Sequence, residues 1–151
     1  MTATNHALTG AAIGLLVGEP LIAIPVAIIS HFVCDALPHY DAKIPGTGRI
    51  ASKTFRNYLI AEAALCLLIV LVLCILQPQN WLLASVCAFA AAAPDFGWIN
   101  KFVKARRGVV HKPNLFSRFA ENIQWFHRPI GGVVELAWAV AAIAIIVPFL
   151  R

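Results

Sequence analysis

Tyr58–Leu76, YLIAEAALCLLIVLVLCIL, is nineteen residues long and carries one charged side chain, Glu62. A helix of that length reaches about 28 Å, close to the roughly 30 Å hydrocarbon core of a bilayer. A helix packed in a soluble protein keeps a polar face, and this stretch has none. It therefore predicts a membrane-spanning helix. Ile130–Leu150 reads the same way, interrupted by Gly131-Gly132 and Glu135 near its start and Pro148 near its end. The whole chain of 151 residues is 60% hydrophobic and 13% charged, the composition of a protein solvated largely by lipid. One integral-membrane domain, residues 1–151, accounts for this length.

Outward from Leu76, Gln77-Pro78-Gln79-Asn80 forms an uncharged tight turn, and Trp81–Ala93 runs back to Pro94-Asp95, where proline kinks or stops the helix. Phe96–Arg128 is the longest non-spanning region and the most basic. Within it Asn114 can cap an amphipathic helix with Phe116, Phe119, Ala120, Ile123, Phe126 and His127 on one face, the pattern of a segment lying in the interface. On the other side of Tyr58, two shorter apolar runs, His6–Gly18 and Leu21–Leu37, form a helical hairpin about Glu19-Pro20. Thr4 or Asn5 is the expected N-cap of the first run. Thirteen residues reach only about 20 Å, so tilted, re-entrant and partly inserted placements all remain open. The expected fold is an all-α polytopic membrane bundle. It has about five apolar helices, comprising a short N-terminal hairpin and further spans, with one amphipathic interfacial helix besides.

Charge predicts the orientation. Of twelve Lys and Arg residues, four lie between Lys43 and Arg56 and seven between Lys101 and Arg128, while the turns at Glu19-Pro20 and Gln77–Asn80 have none. Basic loops stay in the cytoplasm, which puts the N-terminus inside and Arg151 outside after five apolar passes. Met1–Asn5 carries no Lys or Arg and lacks the basic flank of a signal peptide. Cys34, Cys66, Cys74 and Cys87 all lie within apolar segments without a C-x-x-C pair, and read as small buried hydrophobes.

The chemistry is concentrated in Ser30–Asp41, SHFVCDALPHYD. His31 and Asp35 are i and i+4 and share a helix face. Pro38 stops that helix, so His39 and Asp41 follow in a turn that can fold back on its end. Imidazole and carboxylate form the mixed donor set of Zn²⁺, Mn²⁺ or Fe²⁺. A helix C-cap with solvated His and Asp is the competing interpretation. NHALTG, APD at 93–95 and QWFHRP at 124–129 extend the set to six candidate ligands: His6, His31, Asp35, His39, Asp95 and His127. These suffice for one or two divalent ions, Zn or Mn by donor type. The predicted topology places all six at the cytoplasmic face.

The opening His-x-x-x-Gly and His-Phe-x-x-Asp-x-x-Pro-His-x-Asp resemble the small bacterial inner-membrane, metal-dependent hydrolases of the YdjM-like group, over about the first 41 residues. Elsewhere the chain departs from that pattern: Gly97 stands where the group often has the second Asp of Pro-Asp-x-Asp, and Arg106 where it has the first His of a later His-Arg-Gly element that here ends in His111. A looser similarity to helical zinc-dependent phospholipases C points to phosphoesters. The resemblance implies an inner-membrane metal-dependent hydrolase; the expected activity is attack of metal-activated water on a lipid phosphoester, for which Asp41 or Glu62 is the candidate base and Arg128 or Arg107 the candidate phosphate clamp. Membrane lipids, a second copy or a protein partner are the expected associates; nucleic acid is not, since the basic loops follow the topology rule. The alternative is a non-enzymatic membrane subunit or scaffold with a structural metal or none. Metal or proton transport fits less well, because the ionisable residues collect at one face.

Overall fold

The computed structural model describes residues 1–40, 50–109, 114–124 and 130–151, in which every regular element is helical. The elements are α1 (Ala3–Val17), α2 (Pro20–Ala36), α3 (Lys53–Leu76), α4 (Trp81–Ala92), α5 (Phe96–Arg106), α6 (Leu115–Ile123) and α7 (Gly131–Ile146). A 3₁₀ turn over Ala93–Asp95 joins α4 to α5, and another, Val147–Leu150, follows α7.

Three helical runs are long and apolar enough to cross a membrane: Lys53–Leu76, Trp81–Arg106 and Gly131–Leu150. The helices α1 and α2 are apolar but have only 15 and 17 residues. On the long runs the apolar side chains point away from the protein. Ile75 is 76% exposed and Leu136 67%, an arrangement stable only where the surroundings are themselves apolar.

The helix at the centre is the short α1, which packs against α2, α3, α4 and α7. Its composition explains why. Gly10 and Gly14, one turn apart, present bare backbone to α4; a Cβ on Gly10 would lie 2.2 Å from the Cys87 carbonyl oxygen, and one on Gly14 2.4 Å from the Ala84 Cα. Ala84, Ala88 and Ala91 answer from the other side, fully buried. Two backbones approach this closely only through small residues, the usual solution where helices meet in lipid. Along α7 the seam is polar: Asn5 donates to the Glu135 carbonyl at 3.2 Å and Trp138 to Thr9 at 2.8 Å.

Boundaries differ from the sequence expectation at three places. First, α1 is capped by Thr2, whose hydroxyl accepts from the Asn5 N–H, leaving Thr4 and Asn5 inside the first turn. Second, α3 starts at Lys53, five residues before the apolar run, behind Ser52, whose hydroxyl accepts from the Phe55 N–H at 3.1 Å. Third, Pro94 does not stop the helix. The chain tightens into one 3₁₀ turn there and resumes as α5, so the residues from Phe96 to Arg106 belong to a 26-residue run and not to a loop. The amphipathic segment forms as expected behind Asn114, whose Oδ1 accepts from the Ser117 N–H at 2.8 Å. Phe116 and Phe119 both pack on Phe32 of α2, while Phe126 and His127 lie outside the described residues.

Candidate metal centre

Three elements carry the polar cluster. His6 stands in the first half of α1, His31 and Asp35 on the last turns of α2, and Asp95 at the end of the 3₁₀ turn after α4. The close packing of α1 on α4 and of α2 on both brings them together. One ligand atom from each of His6, His31 and Asp95 lies within 4.8 Å of the other two.

Asp35 links the two imidazoles. Its Oδ1 is 3.1 Å from His6 Nε2, and its Oδ2 is 3.4 Å from His31 Nε2. His6 Nε2 also stands 3.9 Å from Asp95 Oδ2. The two rings are 4.0 Å apart between centroids. His6 is wholly buried and His31 and Asp35 almost so. Two carboxylates around one buried imidazole need positive charge or strong hydrogen bonds, since desolvation of an unpaired carboxylate is prohibitive. Asp35 obtains part of this from the amino group of Met1, which contacts Oδ1, and from Gln124 Nε2, which donates to Oδ2 at 2.8 Å.

Two further observations test whether these side chains suit a metal. His31 Nδ1 lies 2.9 Å from the carbonyl oxygen of Ala91. A carbonyl can only accept, so the Nδ1 carries the proton and a neutral His31 turns the lone pair of Nε2 toward Asp35 and His6. Backbone orientation of a histidine in this way is the habitual outer shell of a ligand. His6 Nδ1, in contrast, is buried and has no hydrogen-bond partner among the described residues. Unsatisfied polar atoms are rare in folded proteins, and a bound ion or water is one of their standard explanations. The donor set fits a divalent ion with mixed N/O ligation, and the His6 nitrogen that faces it is Nε2.

Of the six ligands expected from sequence, the structure gathers His6, His31, Asp35 and Asp95. His39 is buried at the end of α2 with its Nδ1 donating to the Leu37 carbonyl at 2.9 Å, and its backbone packs on Gly131. His127 lies outside the described residues, as do Asp41, His111 and Arg128. Glu62 lies in the first half of α3 and accepts from both the backbone N–H and the hydroxyl of Thr4, at 2.9 and 2.8 Å, which makes it a tie between α3 and the start of α1. Arg107 is exposed at the end of α5. Sequence reading missed Gln124 as a partner of Asp35, although it opens the QWFHRP stretch, and the Ala91 carbonyl, which no side-chain pattern can reveal. Comparison with protein-family models, with curated proteins and with solved structures finds no match for this chain.

Proposed function

We infer that the chain is a membrane-embedded, metal-dependent hydrolase, and that its substrate is a phosphoester of a lipid at the cytoplasmic face. In this reading the hairpin α1–α2 lies in the membrane and the three long runs are the remaining three of five apolar helices, His6, His31, Asp35 and Asp95 hold one or two divalent ions, Zn²⁺ or Mn²⁺, and the resemblance to the YdjM-like hydrolases reflects a shared site. The observation that carries it is the convergence of His6, His31 and Asp95 from three elements onto one point, with His31 already oriented by a backbone carbonyl. Dispersed ligands on separate helices are typical of metal sites built into helical bundles.

A bound divalent ion polarises a phosphoryl oxygen and lowers the pKa of water toward neutrality. In hydrolysis, a water oxygen bonds to phosphorus, the ester P–O bond breaks, and the water proton passes through a carboxylate to the departing alkoxide. Asp41 or Glu62 is the base on this reading, and Arg128 or Arg107 the phosphate clamp. Elemental analysis of protein purified without chelator should find stoichiometric Zn or Mn, lost in His31→Ala. Phosphate release from a phospholipid and polyprenyl-phosphate panel should stop on chelation and return with either ion. Metal-free wild-type protein with no turnover on the panel would sink this reading.

The complete burial of His6 favours a second reading, a non-enzymatic subunit with a structural ion. Structural zinc is enclosed by protein ligands, whereas a catalytic ion keeps one position for water. Ion-substituted protein, examined by X-ray absorption for a water ligand, separates the two.

A further inference from the structure

Two cavities meet at Asp95. The first, of about 260 Å³, opens between α5 and α6 and has His31 and Asp95 on its floor. Lys101 and Lys104, three residues apart and so on one face of α5, line it together with Ser117 of α6 and Gln124 just beyond that helix. Lys101 Nζ is steadied 4.1 Å above the Trp98 ring. The second, of about 390 Å³, is an apolar groove between α3 and α4, bordered by Ala63, Leu67 and Val70 on one side and Ala88 and Phe89 on the other. Glu62 and Asp95 are the carboxylates in its lining. The helices that form it are two of the runs long enough to cross a membrane, so the groove can be entered sideways from lipid.

Neither cavity alone identifies a ligand, but their junction does. A molecule occupying both carries negative charge at one end, to meet two lysines, and a hydrocarbon chain at the other. The bond between these parts lies beside Asp95, which lines both cavities, with His31 on the side of the lysine cleft. We propose that the Lys101–Lys104 cleft binds the phosphate-bearing headgroup, and the α3–α4 groove one hydrocarbon chain, of a single anionic lipid that straddles the metal centre. The assignment rests on the hydrolase reading for the role of the centre, but the lipid site stands on the two cavities and can be tested without turnover. It also moves phosphate recognition from Arg107 and Arg128 to the lysines of α5, which the Pro94 turn carries over the cluster.

The test uses the full chain in phosphatidylcholine nanodiscs under chelation, so that nothing is hydrolysed. Acetylation of Lys101 and Lys104 is followed by mass spectrometry. Phosphatidic acid added to the bilayer should slow their labelling at least fivefold, while diacylglycerol, with the same chains and no phosphate, and inorganic phosphate, with no chain, should each leave it within twofold. Ala63→Trp, at an exposed position where the larger side chain fills the groove without entering the core, should remove the protection; Leu67→Trp is the independent second variant. A photoreactive group on the acyl chain should mark α3 and α4 in wild type only. Equal protection by inorganic phosphate, unaffected by either tryptophan, would identify a soluble anion and overturn the proposal, and so would labelling that no phosphate compound slows. Protection as expected in a protein that turns over no phosphoester with Zn²⁺ or Mn²⁺ would retire the hydrolase reading and leave the lipid site in place.

Discussion

Asp35 has the largest number of polar partners in the cluster: His6, His31, Gln124 and the Met1 amino group. Its loss strands all of them in a buried site, which costs about 3–5 kcal/mol for a charge pair broken on one side. Asp35→Ala should therefore lower the melting temperature sharply even in chelator, and should also lose the metal. Gln124→Ala removes one neutral donor to a carboxylate and should cost about 1.5–3 kcal/mol, with metal content retained. Melting curves with and without EDTA check both, since a metal that binds only the folded chain adds stability that chelation removes. A Gln124→Ala protein that melts like wild type would show that the Asp35–Gln124 contact carries no weight. At this scale the sequence was legible where spacing is local. His31 and Asp35 follow from i, i+4 geometry, and Pro38 from its missing N–H. The contacts across 29 and 89 residues, His6–Asp35 and Gln124–Asp35, depend on how helices cross, and no local period encodes that.

Among the elements, the contact between α1 and α4 decides whether the cluster exists, because it places His6 beside Asp95. The seam is made of Gly10 and Gly14 against Ala84, Cys87 and Ala91. Gly10→Leu drives a branched side chain into the Cys87 carbonyl and should separate the helices; overpacking costs about 1–3 kcal/mol where the neighbours can give, and here the nearest neighbour is backbone. The variant should lose bound metal although no ligand is touched. Retention of both metal and wild-type melting would mean that the helices meet some other way. The G-x-x-x-G pattern was present at residues 10–14 of the sequence, but α1 is short, and its place at the centre came from what it packs against and not from its own hydrophobicity. Pro94 illustrates the opposite error. A proline after an alanine-rich helix predicts a kink or a stop, and the chain resolves it with a single 3₁₀ turn that keeps α5 helical and sets Asp95 at the join.

For the molecule as a whole, the polar contacts sort the helix ends into two groups. Thr4 bonds Glu62 in the first half of α3, Asn5 bonds the carbonyl of Glu135 near the start of α7, and Arg106 at the end of α5 reaches the Ala51 carbonyl at 3.5 Å. The starts of α1, α3 and α7 and the end of α5 therefore share one end of the bundle. At the other end Gly18, left-handed at φ 68°, packs against Asn80, whose own φ of 66° shapes the turn before α4. Lys53, Arg56, Lys101, Lys104, Arg106 and Arg107 flank the first end, the two turns that mark the second carry no Lys or Arg, and Arg151 follows the far end of α7. Charge distribution along the sequence anticipated this segregation; which end faces the cytoplasm follows only from the preference of basic segments for that side. With the four native cysteines replaced, single cysteines at Ser52 and Ser117 should resist an impermeant maleimide in intact cells and react after lysis, whereas one at Gln79 should react from outside. The three positions control one another, because helices tied as above cannot invert separately. Labelling of Ser52 and Ser117 from outside, with Gln79 protected, would turn the whole bundle over and open the lysine cleft of α5 and α6 to the external leaflet, where a different pool of anionic lipid meets it.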